Sequence, residues 1–147
     1  MKITLQRIDD DNEEIIIKYR QMTDYIDGIV RYVEGQGKKL MGIKEGHQFV
    51  LDICKVLYAE SVEGITWLYT EQEVYKSDLT LAVCEAMYAG EGFFRCSKSM
   101  VLNIYHIKKL KSMSENRIDV TMDNGEHVVI SRRYAKELRS ILKGEKA

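Results

Sequence analysis

Along most of this chain apolar and polar positions alternate with a period near two, and in three places the period lengthens to three or four. Lys2–Ile8 sets Ile3, Leu5 and Ile8 against Thr4, Gln6 and Arg7, which predicts a strand. The acidic run 9–14 resists burial and is expected to turn. Ile15, Ile16 and Ile17, followed by Tyr19, predict a second strand paired with the first. A strand followed by acidic residues also opens phospho-receiver domains, but the βα alternation such a domain needs does not continue. From Met22 to Glu34 the recurrence of Ile26, Ile29, Val30 and Val33 predicts a helix capped by Thr23. Gly35, Gln36 and Gly37 end it and mark a domain boundary. A ββα segment spanning 1–37 is too small to hold a core alone. It must pack on the rest of the chain or pair with a copy of itself, which makes it the candidate dimerisation element.

From Lys38 onward the strand patterns are short and closely spaced. They fall at Leu40–Lys44, Gln48–Leu51, Val56–Ser61, Ile65–Thr70 and Glu73–Lys76. A helix over Leu79–Tyr88, capped by Asp78 and ended by Gly90 and Gly92, interrupts them. Phe93–Cys96 predicts a further strand, with Ser97, Lys98 and Ser99 as a polar step and Val101 and Leu102 in the core. Ile107–Leu110 and Arg117–Met122 follow, the latter with Ile118, Val120 and Met122 inward and Asp119 and Thr121 outward. Asp123, Asn124 and Gly125 make a hairpin turn before Val128–Ile130. Ser131 caps a last helix, Arg132–Leu142, with Tyr134, Leu138, Ile141 and Leu142 inward. The expected class is mainly β, α+β overall: a β-stranded domain with short helices over 38–147, preceded by the ββα segment.

Composition narrows the function. The 147 residues are 45% hydrophobic and 31% charged, as in a soluble globular domain. No apolar run reaches the roughly 18 residues of a membrane span, and MKITLQRIDDD is unlike a secretory signal. The expected compartment is the cytoplasm. Cys54, Cys84 and Cys96 lie far apart and in odd number, against a disulfide framework or a zinc site. His47, His106 and His127 are scattered with no nucleophile or carboxylate arranged around them, and no phosphate-binding glycine loop is present. These features point away from an enzyme, and no cofactor, metal or small-molecule substrate is expected. Charge points toward a polyanion. Residues 93–147 hold twelve Lys and Arg against six Asp and Glu, whereas residues 1–92 hold ten against seventeen. The net −1 of the whole chain conceals a +6 half and a −7 half. Attraction between the two halves within the fold is the plainer account of the same asymmetry.

Three stretches carry a resemblance: VLYAES (56–61), FFRCSKSMVLNI (93–104) and NGEHVVISRRYAKEL (124–138). With the helix between the first two, they make residues 40–142 similar to the LytTR family of bacterial DNA-binding domains. The resemblance implies a largely β-stranded fold that enters DNA major grooves through loops. It places contacts in the loop after VLYAES (63–66, here with Thr66), at Lys98 within the 97–99 step, and at Arg133 of SRRY. Many members join this domain to a receiver; here the ββα segment stands in its place, as in short stand-alone members. A membrane-protein partner is implied by the family alone.

The residue chemistry fits those positions. Arg133 can donate two parallel hydrogen bonds to guanine; its plainer role is a salt bridge with Glu137. Arg132 suits a phosphate, and Lys98 either a base edge or a phosphate. Ser97 and Ser99 can donate hydroxyls to phosphate oxygens. Lys108 and Lys109, with Lys111, make a basic strand that contacts phosphate or is simply solvated. Arg95 and Asn103 belong to the motif as structural residues, and Trp67, Phe93 and Phe94 as core. The expected function is that of a sequence-specific, double-stranded-DNA-binding, response-regulator-like transcriptional regulator, acting as a homodimer. The alternative is a protein-interaction adaptor on the same scaffold.

Overall fold

A computed structural model describes residues 1–34 and 38–144 of the chain. The glycine-flanked boundary expected at 35–37 lies outside the described residues. The elements are α1 (Asp24–Val33), β1 (Lys39–Lys44), β2 (His47–Asp52), β3 (Tyr58–Val62), β4 (Ile65–Tyr69), β5 (Val74–Ser77), α2 (Leu81–Tyr88), β6 (Phe93–Ser97), β7 (Met100–Asn103), β8 (Ile107–Ser112), β9 (Ile118–Met122), β10 (His127–Ile130) and α3 (Arg132–Leu142). The result is mainly β with few helices, as the alternation implies.

Two antiparallel sheets form. One has seven strands in the order β2-β1-β5-β4-β3-β7-β6, and the other has three in the order β10-β9-β8. The inner strands of the larger sheet are covered on both sides, so adjacent residues go to different cores. Phe93, Ala59 and Val101 join Leu68, Leu81 and Cys84 under α2. Phe94, Tyr58 and Leu102 turn the other way, into a core closed by Ile118, Val120, Met122 and Ile130 of the small sheet and by Ala135 and Leu138 of α3. A strand covered on both faces must be apolar at consecutive positions, which accounts for the paired phenylalanines. Trp67, expected in the core, is only half-buried in β4. Leu142, expected inward from α3, is 43% exposed in the last turn.

Turn chemistry sets the strand register. Glu45–Gly46 and Glu63–Gly64 both carry positive φ, at 51° and 78° and at 52° and 80°. These are the two-residue turns whose twist matches antiparallel strands. Gly92 ends the α2 region at φ 92°. A Cβ there would sit 2.6 Å from the Tyr105 ring, so no larger residue fits without a shift. At Asp123–Gly125 only Gly125 takes positive φ. Asn124 instead donates from Nδ2 to the Tyr58 hydroxyl at 3.3 Å, tying the hairpin to the larger sheet.

Three local expectations are corrected. Lys2–Ile8 and Ile15–Ile17 form no strand, so the segment before β1 is not ββα in this chain. A lone pair of strands is marginal in water, and here no further strand or core supports it: Ile3, Leu5 and Ile15 stay 82%, 93% and 68% exposed. The helix α1 does form, with Thr23 Oγ1 accepting from the Ile26 amide at 3.2 Å. The cap of α2 is Thr80, not Asp78. Its hydroxyl accepts from the Val83 amide at 3.2 Å, while residues 78 and 79 complete the turn out of β5. Thr121 is 8% exposed despite its outward register, because β10 covers it from the side.

Candidate nucleic-acid interface

The 97–99 step is a braced turn between β6 and β7. The register shifts between Arg95 and Ser97, a bulge that turns the strand end outward. Arg95, half-buried, reaches along its own turn. Its Nε donates to the Ser97 carbonyl at 2.7 Å and its Nη2 to the Lys98 carbonyl at 2.6 Å. Glu85 of α2 holds the guanidinium from behind at 3.5 Å. The Ser99 amide donates to Ser97 Oγ at 3.2 Å. The Ser61 amide donates to the Ser99 carbonyl at 2.8 Å, pinning the turn to the end of β3. What remains outside is the Lys98 ammonium, which is exposed and makes no ion pair among the described residues.

Two buried groups hold this scaffold in register. Asn103 is 1% exposed, donates from Nδ2 to the Val56 carbonyl at 3.1 Å and accepts the Tyr105 amide at 3.1 Å. Cys96, beneath the turn, is fully covered, and burial pushes its thiol up to about 12. Arg95 and Asn103 are therefore structural members of the motif.

Arg133 stands in the first turn of α3, exposed, with its guanidinium 5.2 Å from the ring centroid of Tyr134. The plainer alternative, a pair with Glu137, does not form among the described ion pairs, which leaves the guanidinium's donor edge free of a carboxylate there. Ser131 occupies the cap position without a side-chain hydrogen bond. Ala135 and Leu138 pack α3 onto the core that holds Phe94 and Cys96, so α3 lies against the strand that leads into the Lys98 turn.

Other candidates divide. Ser97 and Ser99 sit together on the turn, their hydroxyls 3.4 Å apart. Lys108 and Lys109 lie exposed on β8, an edge strand; Lys108 is the bulged residue, since pairing runs from Ile107 with Met122 to Lys109 with Thr121. Thr66 is corrected. It is 5% exposed, paired with Ser77 and turned to the same side of β4 as Leu68. The loop that was expected to present it is only the two-residue Glu63–Gly64 turn, which offers a carboxylate and no cation. Sequence reasoning passed over Lys136, Arg139 and Lys143. With Arg132 they line one shallow depression on α3, closed by Asn116 and Ser140. The signal was present: positions 132, 136, 139 and 143 follow helical spacing.

Two of the three histidines do meet a carboxylate in the fold, which corrects the sequence reading that none has one arranged around it. His106 faces Asp123 with Nδ1 at 2.8 Å and the Cys54 carbonyl with Nε2 at 2.5 Å, linking the turn after β9 to the segment after β2. His127 pairs with Asp119 across the small sheet at 3.0 Å. No helix among the described residues is long and apolar enough to cross a membrane.

Comparison with known proteins adds the family context. Residues 46–143 match the LytTr DNA-binding domain. The chain is 30% identical over 94 residues to the sensory transduction protein LytT of Bacillus anthracis, covering 64% of this chain and 38% of that one. It is 26% identical over 131 residues to LytT of Bacillus subtilis, covering 88% and 54%. It is 27% identical over 101 residues to the transcriptional regulatory protein YpdB of Escherichia coli, covering 68% and 41%. Thus the chain spans 38% to 54% of the length of these curated relatives. Among solved structures, the LytTr DNA-binding domain of a Bacillus cereus protein superposes with a TM-score of 0.67 at 27% identity, covering 72% of this chain and 98% of that one.

Proposed function

This chain belongs to the LytTr DNA-binding domain family, and from that premise we propose that it is a sequence-specific, double-stranded-DNA-binding transcriptional regulator without catalytic activity. It works in the cytoplasm as a homodimer on a repeated site. The observation that carries the reading is the braced turn at 97–99: buried and backbone-directed groups are spent on holding its shape, and an unpaired cation is left at its tip. A rigid, charged turn loses little entropy on binding and can enter a major groove with its side chain already placed.

Roles follow from position. Arg133 reads a base, with a free donor edge and a ring that limits its rotamers. Lys98 reaches a base edge or a neighbouring phosphate. Ser97 and Ser99 donate to phosphate beside it. The depression formed by Arg132, Lys136, Arg139 and Lys143 follows the backbone and supplies affinity without sequence preference. Lys108 and Lys109 extend that field along the edge of the small sheet.

The deciding experiment is selection from a randomised duplex library at roughly 150 mM salt, where purely non-specific binding is weak. An enriched motif, repeated at about one helical turn, is expected. Absence of enrichment from a folded protein would overturn the reading and favour a protein-interaction adaptor.

A further inference from the structure

The stretch before β1 lies outside the family match and is the least covered part of the molecule. No residue of α1 is buried, although Ile26, Ile29, Val30 and Val33 share one face. Alternate residues Ile15, Ile17 and Tyr19 line a shallow groove with Ile26, Val30 and Val33. Ile17 is half-buried while Ile16 and Lys18 on either side are exposed. A period of two against a helix face is how a strand lies on a helix. Yet among the described residues no backbone amide in 2–22 donates to a backbone carbonyl. The segment has the side-chain pattern of a sheet-on-helix layer and lacks the neighbouring strand that would complete it.

We propose that a second copy of this chain supplies that strand, residues 14–20 of the two protomers pairing antiparallel about a twofold axis at Ile17. The inference deepens the homodimer part of the reading above and is independent of whether the domain reads DNA. The segment is complementary to itself in this register. Ile17 meets Ile17 of the second copy, and Ile15 meets Tyr19, all on the face that already lies against α1. On the opposite face Glu14 meets Arg20 twice, once on each side of the axis; both residues are exposed in the single chain. Neighbouring registers fit less well. A shift by one residue sets the helix-facing side chains opposite outward-facing ones. A twofold at Lys18 opposes two ammonium groups, and one at Ile16 places Glu13 against Tyr19 on the apolar face.

Uncovered apolar side chains are at hand on both elements. Ile15, Ile16, Tyr19 and Tyr25 are 68%, 68%, 54% and 58% exposed, and Tyr32 and Val33 are 61% and 49%. A stable interface of standard size buries about 800 Å² per partner, so α1 and the segment before it must both contribute.

The test is a charge exchange in the full chain, read by sedimentation equilibrium. E14R and R20E each convert two attractive cross-strand pairs to repulsive ones. Each should raise the dimer dissociation constant about tenfold or more. The double variant E14R/R20E restores both pairs and should return the constant to within about threefold of the parent chain. Rescue by the double variant separates a specific register from simple misfolding, with unchanged thermal unfolding of the β domain as control. A parent chain that stays monomeric at ~100 µM, an R20E variant that dimerises normally, or a double variant that is not rescued would each overturn the proposal. Binding of the monomeric variants to a single half-site is measured alongside. Dimerisation without DNA binding would sink the regulator reading and leave this interface standing.

Discussion

Arg95 Nη2 donates to the Lys98 carbonyl oxygen at 2.6 Å, so one arginine holds the backbone of the turn whose tip carries the candidate DNA-contacting lysine. The same guanidinium donates to Ser97 and is anchored by Glu85. Its positive charge is therefore used inside the protein, and the charge left exposed at the turn is that of Lys98.

Replacing Arg95 and replacing Lys98 should separate shape from contact. Arg95→Ala removes two charge-assisted hydrogen bonds, each worth about 1.5–3 kcal/mol when well formed. It is expected to lower the urea midpoint and to weaken DNA binding together. Lys98→Ala is expected to leave the midpoint within about 0.5 kcal/mol and to weaken DNA binding alone. Paired denaturation and duplex titrations on both variants check this; equal stability in the two would remove the bracing role.

Arg133→Ala should cost about 1–3 kcal/mol of discrimination at one base position. Lys136→Ala, in the basic depression of α3, should weaken all duplexes alike and reduce the salt slope of binding by about one. Titrations of one selected duplex and one scrambled duplex across a salt series distinguish them. Loss of sequence preference in Lys136→Ala would reverse the roles assigned here.

Asn103→Ala should be among the most destabilising substitutions outside the apolar core. The amide bridges the Val56 carbonyl and the Tyr105 amide from a fully covered position. Truncation leaves the buried Val56 carbonyl without this partner and releases the Tyr105 amide, a cost of about 1–3 kcal/mol. Equilibrium urea unfolding measures it directly.

Stability should decline in alkali before the lysines titrate fully. Burial pushes the Cys96 thiol up to about 12 from its ordinary 9. Above pH 9 the unfolded chain releases a proton that the native state keeps. The contribution is intact below pH 9 and is lost as pH rises toward 12, by up to about 1.4 kcal/mol per pH unit. Burial raises Cys84 and Tyr88 as well, in the same sense. Urea midpoints at pH 8, 9 and 10 should fall in order, and Cys96→Ala should fall less steeply.

Much of the fold is legible in the chain because its signals are local. The period-two runs at 40–44, 65–70 and 117–122 and the Asn-Gly hairpin all appear as strands and turn within about a residue of where alternation places them. The helix α1 forms on its own apolar spacing and its Thr23 cap. The segment before it shows the limit. Residues 2–8 have as clear an alternation as any strand in the β domain, but a strand is stable only when another backbone takes its hydrogen bonds and a core takes its apolar face. Alternation describes the side chains and is silent about that partner.

The candidate site divides along the same line. Composition and order along the chain determined that a basic half exists and that FFRCSKS is followed by SRRY; that Lys98 and Arg133 are candidate readers is what the family resemblance implies. Burial and pairing were decided in three dimensions. Thr66 is 5% exposed because β4 turns it to the same side as Leu68, and among the described ion pairs Arg133 has none with Glu137 although helical spacing permits one. Arg95 faces its own turn, and Lys136, Arg139 and Lys143 gather beside Arg132. The identity of a side chain and its period along the chain are written in sequence. Which groups meet, which are covered and which stay free for a ligand depends on packing between elements distant in sequence, and that is fixed only when the two sheets and α3 close on a common core.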